Sequence, residues 1–181
     1  MTCAHDAEDW ARFNVLETDR LRLRWISSRD AAFIVELVND PDWLRFIGDK
    51  GVRTIQDAEA YIANGPVAMY ARHGFGLYLT ELKKRATSIG ICGLIKREGL
   101  DDVDIGFAFL PRYRANGYAL EAAAAVMAHG LGTLGLKRIV AIVSPDNHAS
   151  AKLLEKVGMR RTGSVRLREG ADEVDLYGYD A

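Results

Sequence analysis

Cysteine is almost absent from this chain: Cys3 and Cys92 are the two it has, too few for a disulfide framework. Cys92 lies in an apolar run, residues 89–95, that reads as a buried strand. A core thiol is therefore expected there in preference to a nucleophile, because no base is visible beside it. An excess of one charge is equally lacking. The 24 Lys and Arg oppose 25 Asp and Glu for a formal net charge of -1, so nothing global draws the chain to nucleic acid or to an anionic membrane, and neither is expected as a partner. No stretch approaches the roughly 18 uninterrupted apolar residues of a spanning helix. Residues 1–14, MTCAHDAEDWARFN, lack the charged start and apolar stretch of a secretory signal, so a cytoplasmic protein is expected. Repeats, low-complexity segments and linkers are missing as well. With 49% hydrophobic and 27% charged residues, the chain reads as one folded domain over residues 1–181, with 1–17 a polar extension of no clear period.

What is present is a sequence of alternating and helical patterns. Residues 20–26 alternate strictly, with Leu21, Leu23 and Trp25 on one face and Arg20, Arg22 and Arg24 on the other, as in a half-buried strand with a solvated edge face. Helical spacing follows over 29–39 behind Ser28 and ends at Asp40-Pro41; further helices are expected at 41–47 and at 55–63, the second opened by Thr54 and Asp57. Residues 75–82 and 88–95 read as antiparallel strands around Lys83-Lys84-Arg85, followed by a strand at 103–110. On that strand Val103, Ile105, Phe107 and Phe109 share one face, while Asp104, Gly106 and Ala108 leave the other open. Residues 117–134 form the longest helix, with Leu120, Ala124, Met127, Leu131 and Leu134 on its apolar stripe. Residues 138–144, RIVAIVS, are continuously apolar inside, as in a strand covered on both faces and parallel to the one before the helix. A helix at 149–157 closed by Gly158 and two alternating segments, 160–168 and 173–179, complete the chain.

The glycines of GLGTLG, Gly130, Gly132 and Gly135, satisfy a dinucleotide fingerprint by letter but not by context. They follow a helix and lead into a strand, so their amides cannot present the positive end of a helix to a diphosphate. No P-loop motif is present. His5, His73 and His129 have no metal-ligand spacing among themselves or with the cysteines, and no metal is expected.

The stretch Arg112, Tyr113, Arg114, Ala115, Asn116, Gly117, Tyr118, Ala119 has the context that the glycine motif lacks. It follows a strand and opens the longest helix, where unpaired N–H groups and the helix dipole favour an anion. Gly117 and Ala119 leave the backbone uncovered, and Arg112 and Arg114 add charge. Taken alone, an ordinary loop with surface arginines fits these residues too.

The R-x-x-G-x-A segment resembles the acetyl-CoA loop of the GNAT superfamily of N-acetyltransferases. Downstream, SPDNHASAKLLEKVGM resembles the second signature of the RimJ/RimL-like branch, through Asn147, Ser150, Glu155, Lys156, Gly158 and Met159. The opening LETDRLRLRWISSRDA is similar to the start of that branch, so the resemblance extends over residues 16–179. It implies an α/β (α+β) fold: a mixed, mostly antiparallel sheet of about six to seven strands, flanked by helices, whose central parallel strands, 103–110 and 138–144, splay apart. It also implies that the pantetheine arm of acetyl-CoA pairs with Phe109 and Leu110, that the diphosphate rests on Arg112, Arg114, Ala115, Asn116, Gly117, Tyr118 and Ala119, and that Asn147 and Ser150 contact the arm. Acetyl would pass directly to a primary amine, on a protein N-terminus or a small molecule. A non-catalytic acyl-CoA-binding module and a transferase of longer acyl groups such as succinyl are the alternatives, and monomer and homodimer both stay open.

Three chemical tasks follow: polarising the thioester carbonyl, deprotonating the amine and protonating the thiolate. Many family members use a tyrosine for the last; Leu154 stands at that position here, and Ser150 is the hydroxyl expected near the sulfur. Asp104 is the candidate base, acting through water, with a structural ion-paired role as the alternative. Neutralising a lysine amine at pH 7 costs about 4.6 kcal/mol against about 1.1 kcal/mol for an α-amine, so a weak base suffices for an α-amino acceptor. His148 lies between two motif residues, but the resemblance implies that its ring points away. The helices of 28–72 and the loop before Glu173 are expected to form the acceptor groove, with Trp43, Phe46, Tyr70 and Tyr177 as lining candidates.

Overall fold

In a computed structural model of the protein, residues 14–180 are described; Cys3, His5 and most of the 1–17 extension lie outside them. The end of that extension forms a strand, β1 (Asn14–Glu17), paired antiparallel with β2 (Leu21–Trp25). Among the described residues the sheet therefore has eight strands, one more than the alternating patterns show, because four residues are too few to display a period. With β1 on one side and β3 (Leu77–Leu82) on the other, β2 is no edge. Its arginines are engaged, correcting the expected solvated face: Arg22 meets Glu17, and Arg24, 13% exposed, bonds Asp30 at 2.8 Å and Glu81 at 2.8 Å.

Beyond β3 the order continues with β4 (Thr87–Ile95), β5 (Val103–Phe109), β6 (Arg138–Val143), β8 (Val174–Asp180) and β7 (Arg160–Val165), so that β8 enters between β6 and β7. Neighbours are antiparallel except β5 and β6. That parallel pair is joined only at Val103 with Ile139 and Asp104 with Val140, after which the two strands part.

On one face lie α1 (Ala31–Val38), α2 (Pro41–Phe46), α3 (Ile55–Ile62) and α4 (Ala68–His73). Thr54 accepts from the Asp57 amide at 3.1 Å while Asp57 accepts from the Thr54 amide at 2.8 Å, which fixes the start of α3. Pro66 has no N–H to donate, and residues 63–67 open into a wide turn that carries α3 into α4. Ile34, Leu37, Ala58 and Ile62 pack there against Leu79, Ile91 and Leu110. On the other face, Ala122, Ala123, Val126 and Met127 of α5 (Tyr118–Ala128) meet Leu21, Leu23, Tyr78, Ile105 and Phe109. Each large aliphatic side chain buried this way contributes about 1.5–3 kcal/mol.

The longest helix is α-helical only to Ala128, and a wide turn, His129–Thr133, replaces the expected last turn. A side chain at Gly130 would lie 2.8 Å from Ile139 Cδ1 and 3.1 Å from Leu94 Cδ1. Close packing of this turn on the sheet therefore accounts for the first glycine of GLGTLG. The remaining helix is α6 (His148–Lys156).

Candidate active site

The parting of β5 from β6 exposes a strand edge. Leu110 donates its amide to Ile89 O on β4 at 3.0 Å. Because backbone groups alternate sides along a strand, Phe107 and Phe109 then turn theirs toward the gap. The Leu110 carbonyl accepts from Tyr113 N at 2.9 Å and its side chain is buried, so, of the two residues expected on this edge, Phe109 faces the gap and Leu110 does not. The gap is part of a cleft of about 760 Å³.

At the open end of the gap the chain turns into α5 through two left-handed residues, Ala115 at φ 59° and Gly117 at φ 79°. No side chain caps α5, and Glu121 N bonds Gly117 O at 3.0 Å. The amides that precede this bond in the first turn are the ones a helix leaves without an internal acceptor. Ala115, Gly117, Tyr118 and Ala119 line the cleft. Asn116 shapes the loop: its side-chain amide donates to Arg114 O at 2.9 Å, and its carbonyl accepts from Arg20 at 2.9 Å.

The two arginines expected to supply free positive charge are both paired. Arg114 lines the cleft, but its Nε donates to Phe109 O at 2.8 Å and its terminal nitrogens bond Asp42 and, at 2.7 Å, Asp40. It braces the loop to the start of α2. Arg112 lies over the Tyr113 ring and bonds Glu36 at 2.5 Å, outside the cleft lining. The acids that claim them stand on or just before α1 and α2, more than 70 residues upstream, which the loop motif does not reveal. A second brace is also invisible in the motif: Glu121 accepts from Arg20 Nε at 2.6 Å, from the Arg20 amide at 3.0 Å and from Thr18 Oγ1 at 2.5 Å.

Asp104 stands at the closed end, at the last paired position before the strands part, and lines the cleft at 1% exposure. It is ion-paired with Arg97. Burial raises its pKa to about 6, against the opposing pull of Arg97. The Ile142 amide favours the charged form without closing a hydrogen bond, and Oδ1 is left buried with no partner among the described residues. Across the gap, Asn147 caps α6 by accepting from Ser150 N at 3.2 Å, and both residues line the cleft. Leu154 is fully buried, and His148 is exposed and outside the lining. Cys92 is fully buried and its thiol pKa is pushed up by desolvation.

Trp43 and Phe46 line the cleft as expected, but Tyr70 and Tyr177 do not. Tyr70 stacks on Trp25 with centroids 4.8 Å apart, and its hydroxyl accepts from Ile26 N at 3.1 Å and donates to Leu77 O. Tyr177 is buried against the α5 side of the core. Both serve packing, the commoner use of such rings. Lys50, Tyr61 and Arg97 line the closed end instead. None belongs to a motif, and their neighbourhood comes from three separate segments. Among the described residues no three His, Cys, Asp or Glu side chains cluster as a metal site, and no helix is long and apolar enough to cross a membrane.

Comparison with known proteins bears on the family and the fold. Residues 20–160 match the family model described as an acetyltransferase (GNAT) domain. YoaA of Bacillus subtilis (strain 168), named an uncharacterized N-acetyltransferase, is 32% identical over 156 residues, 85% of this chain and 87% of that protein. An acetyltransferase (GNAT family) from Bacillus anthracis has a similar structure, with a TM-score of 0.76 at 27% identity over 91% of this chain and 97% of that one. RimL, a ribosomal L7/L12 alpha-N-protein acetyltransferase solved in complex with coenzyme A, shares the fold with a TM-score of 0.79 at 18% identity, over 93% and 98% of the two chains. The chain belongs to the GNAT family, and it is an acetyltransferase.

Proposed function

We propose that this enzyme uses acetyl-CoA to acetylate a primary amine directly, with the α-amine of a small molecule or a peptide as the favoured acceptor. The observation that carries this reading is the uncapped start of α5 facing a cleft that continues along the free edge of β5. The amides around Gly117, Tyr118 and Ala119 suit a diphosphate, and the missing Cβ at Gly117 lets it approach closely. Neither Arg112 nor Arg114 is needed as a free cation; Arg114 holds the loop in shape. From Phe109 to Asp104 the strand rises five residues, roughly 17 Å, room for an extended arm on the Phe107 and Phe109 edge, where Phe109 offers its amide because Arg114 holds its carbonyl.

At the closed end, Asp104 takes a proton from the incoming ammonium through water. It is ionised above about pH 6, so it is competent at neutral pH but weak. That strength suits an α-amine next to a peptide or amide group, whose deprotonation costs about 1.1 kcal/mol at pH 7, better than a lysine amine at about 4.6 kcal/mol. After the neutral amine attacks the thioester carbonyl and the C–S bond breaks, Ser150 Oγ, on the opposite wall, relays the second proton of the acylated nitrogen to the departing thiolate and keeps its own hydroxyl. Leu154 supplies no hydroxyl, and the resemblance to the RimJ/RimL-like branch implies Ser150 for this role.

The test is amine-dependent release of coenzyme A thiol across α-amines, terminal alkylamines and polyamines. Turnover with α-amines ahead of the others is expected. Tight acetyl-CoA binding with no turnover on any amine would contradict the proposal.

A further inference from the structure

The closed end of the cleft holds more positive charge than its one carboxylate answers. Arg97 uses only Nε on Asp104, and its two terminal amino groups donate to no described residue. Lys50, from the loop after α2, lines the same end and makes no hydrogen bond or ion pair with any described residue. Although Lys50 as a residue is exposed, its ammonium is partly desolvated at the cleft wall and faces Arg97, and both effects lower its pKa.

The excess continues outward. A second hollow shares Gly65, Met69 and Arg97 with the cleft and adds Arg72, His73, Lys96 and Glu98. Lys96 is bound to the carbonyls of Leu100 and Asp101. The Arg72 guanidinium bonds no described residue. The cleft's closed end and the adjoining hollow are therefore lined by four basic side chains, Lys50, Arg72, Lys96 and Arg97, against the carboxylates of Asp104 and Glu98.

This charge arrangement bears on acceptor choice. A polycation brought to the closed end meets like charges that water screens poorly in a partly closed site. A carboxylate or phosphate meets unused guanidinium and ammonium donors, the pairing that gives the strongest protein hydrogen bonds. Two cations beside one base also place an anion and an amine of the same small molecule at different partners.

We propose that the acceptor is a small amine carrying an anionic group, carboxylate or phosphate, a few bonds from the acetylated nitrogen, and that Lys50 and the terminal amino groups of Arg97 hold that anion. This rests on the reading of the chain as an amine acetyltransferase whose acceptor occupies the closed end. The anion's place is distinct from the diphosphate site, which lies at the other end of the cleft.

Binding separates the two readings without requiring turnover. Coenzyme A alone is titrated first, and its failure to bind would strike the donor-site reading. The full chain saturated with coenzyme A is then titrated with matched pairs that keep a peptide-type α-amine: a dipeptide and its C-terminal amide, phosphoserine amide and serine amide, and a diamine as the cationic control. In at least one pair the anionic member should bind at least tenfold more tightly than its neutral match, the pair identifying which anion is preferred. That ratio should fall at least fivefold in Lys50→Met, with Lys50→Arg retaining it. Equal affinity within both pairs, tighter binding of the diamine, or no binding by any member would overturn the proposal, as would a ratio that survives Lys50→Met.

Discussion

The two ends of the cleft are built differently. The end at α5 is made of main chain: a helix start, two left-handed residues and a glycine, held by Arg114 on one side and by Arg20 with Glu121 on the other. The closed end is made of side chains, Lys50, Tyr61, Arg97 and Asp104, contributed by segments far apart in sequence. A group common to every turnover can be held by amides that any sequence of small residues supplies. An acceptor particular to one enzyme needs side chains, which can differ while the fold persists.

Substitutions can break or sharpen this contrast. The largest effect belongs to Gly117→Glu, which puts bulk and negative charge at the diphosphate and a side chain on backbone at φ 79°. Affinity for acetyl-CoA should fall by more than about 100-fold in a titration, whereas Gly117→Asn, which tolerates that backbone, should retain most of it. Equal affinity in Gly117→Glu would remove the site from α5.

Asp104→Asn comes next. kcat/KM should fall about 100-fold, the low end of what a positioned base supplies. The pH profile carries the sign: Asp104 accepts a proton only when ionised, and with its pKa raised to about 6 the wild-type rate is lost as pH drops through about 6. That limb should vanish in the variant, leaving only the amine's own titration at higher pH. A persistent limb near pH 6 would assign Asp104 to the Arg97 ion pair alone.

Ser150→Ala should lower kcat about tenfold with little change in the KM for acetyl-CoA, as for a group used only near the transition state. The smallest effect is that of Glu121→Ala. It removes three hydrogen bonds from the brace behind the α5 start and should cost about 1–2 kcal/mol in denaturant unfolding while raising the KM for acetyl-CoA a few-fold.

The same contrast explains how much was legible in the sequence. The α5 start could be read because its chemistry is local: a strand, a turn with Gly117 and a helix follow one another within residues 103–128. The parallel pair at Val103 and Ile139 was legible through the apolar run inside β6, the pattern of a strand covered on both faces. The partners of Arg112 and Arg114 were not legible, because Glu36, Asp40 and Asp42 meet them only after the sheet has folded. Nor were Lys50 and Arg97, two loop residues with no period and no motif. Tyr70 and Tyr177 illustrate the limit of reading a binding ring from its chemistry, since the same ring fills a core equally well.

The central claim is that the donor lies from the first turn of α5 along the edge of β5. Backbone amide exchange with and without coenzyme A tests it residue by residue. Protection on binding should appear at Ala115, Asn116, Gly117, Tyr118 and Ala119 and extend to Phe107 and Phe109. Saturable binding that leaves those amides unchanged, or protects others in their place, would contradict it.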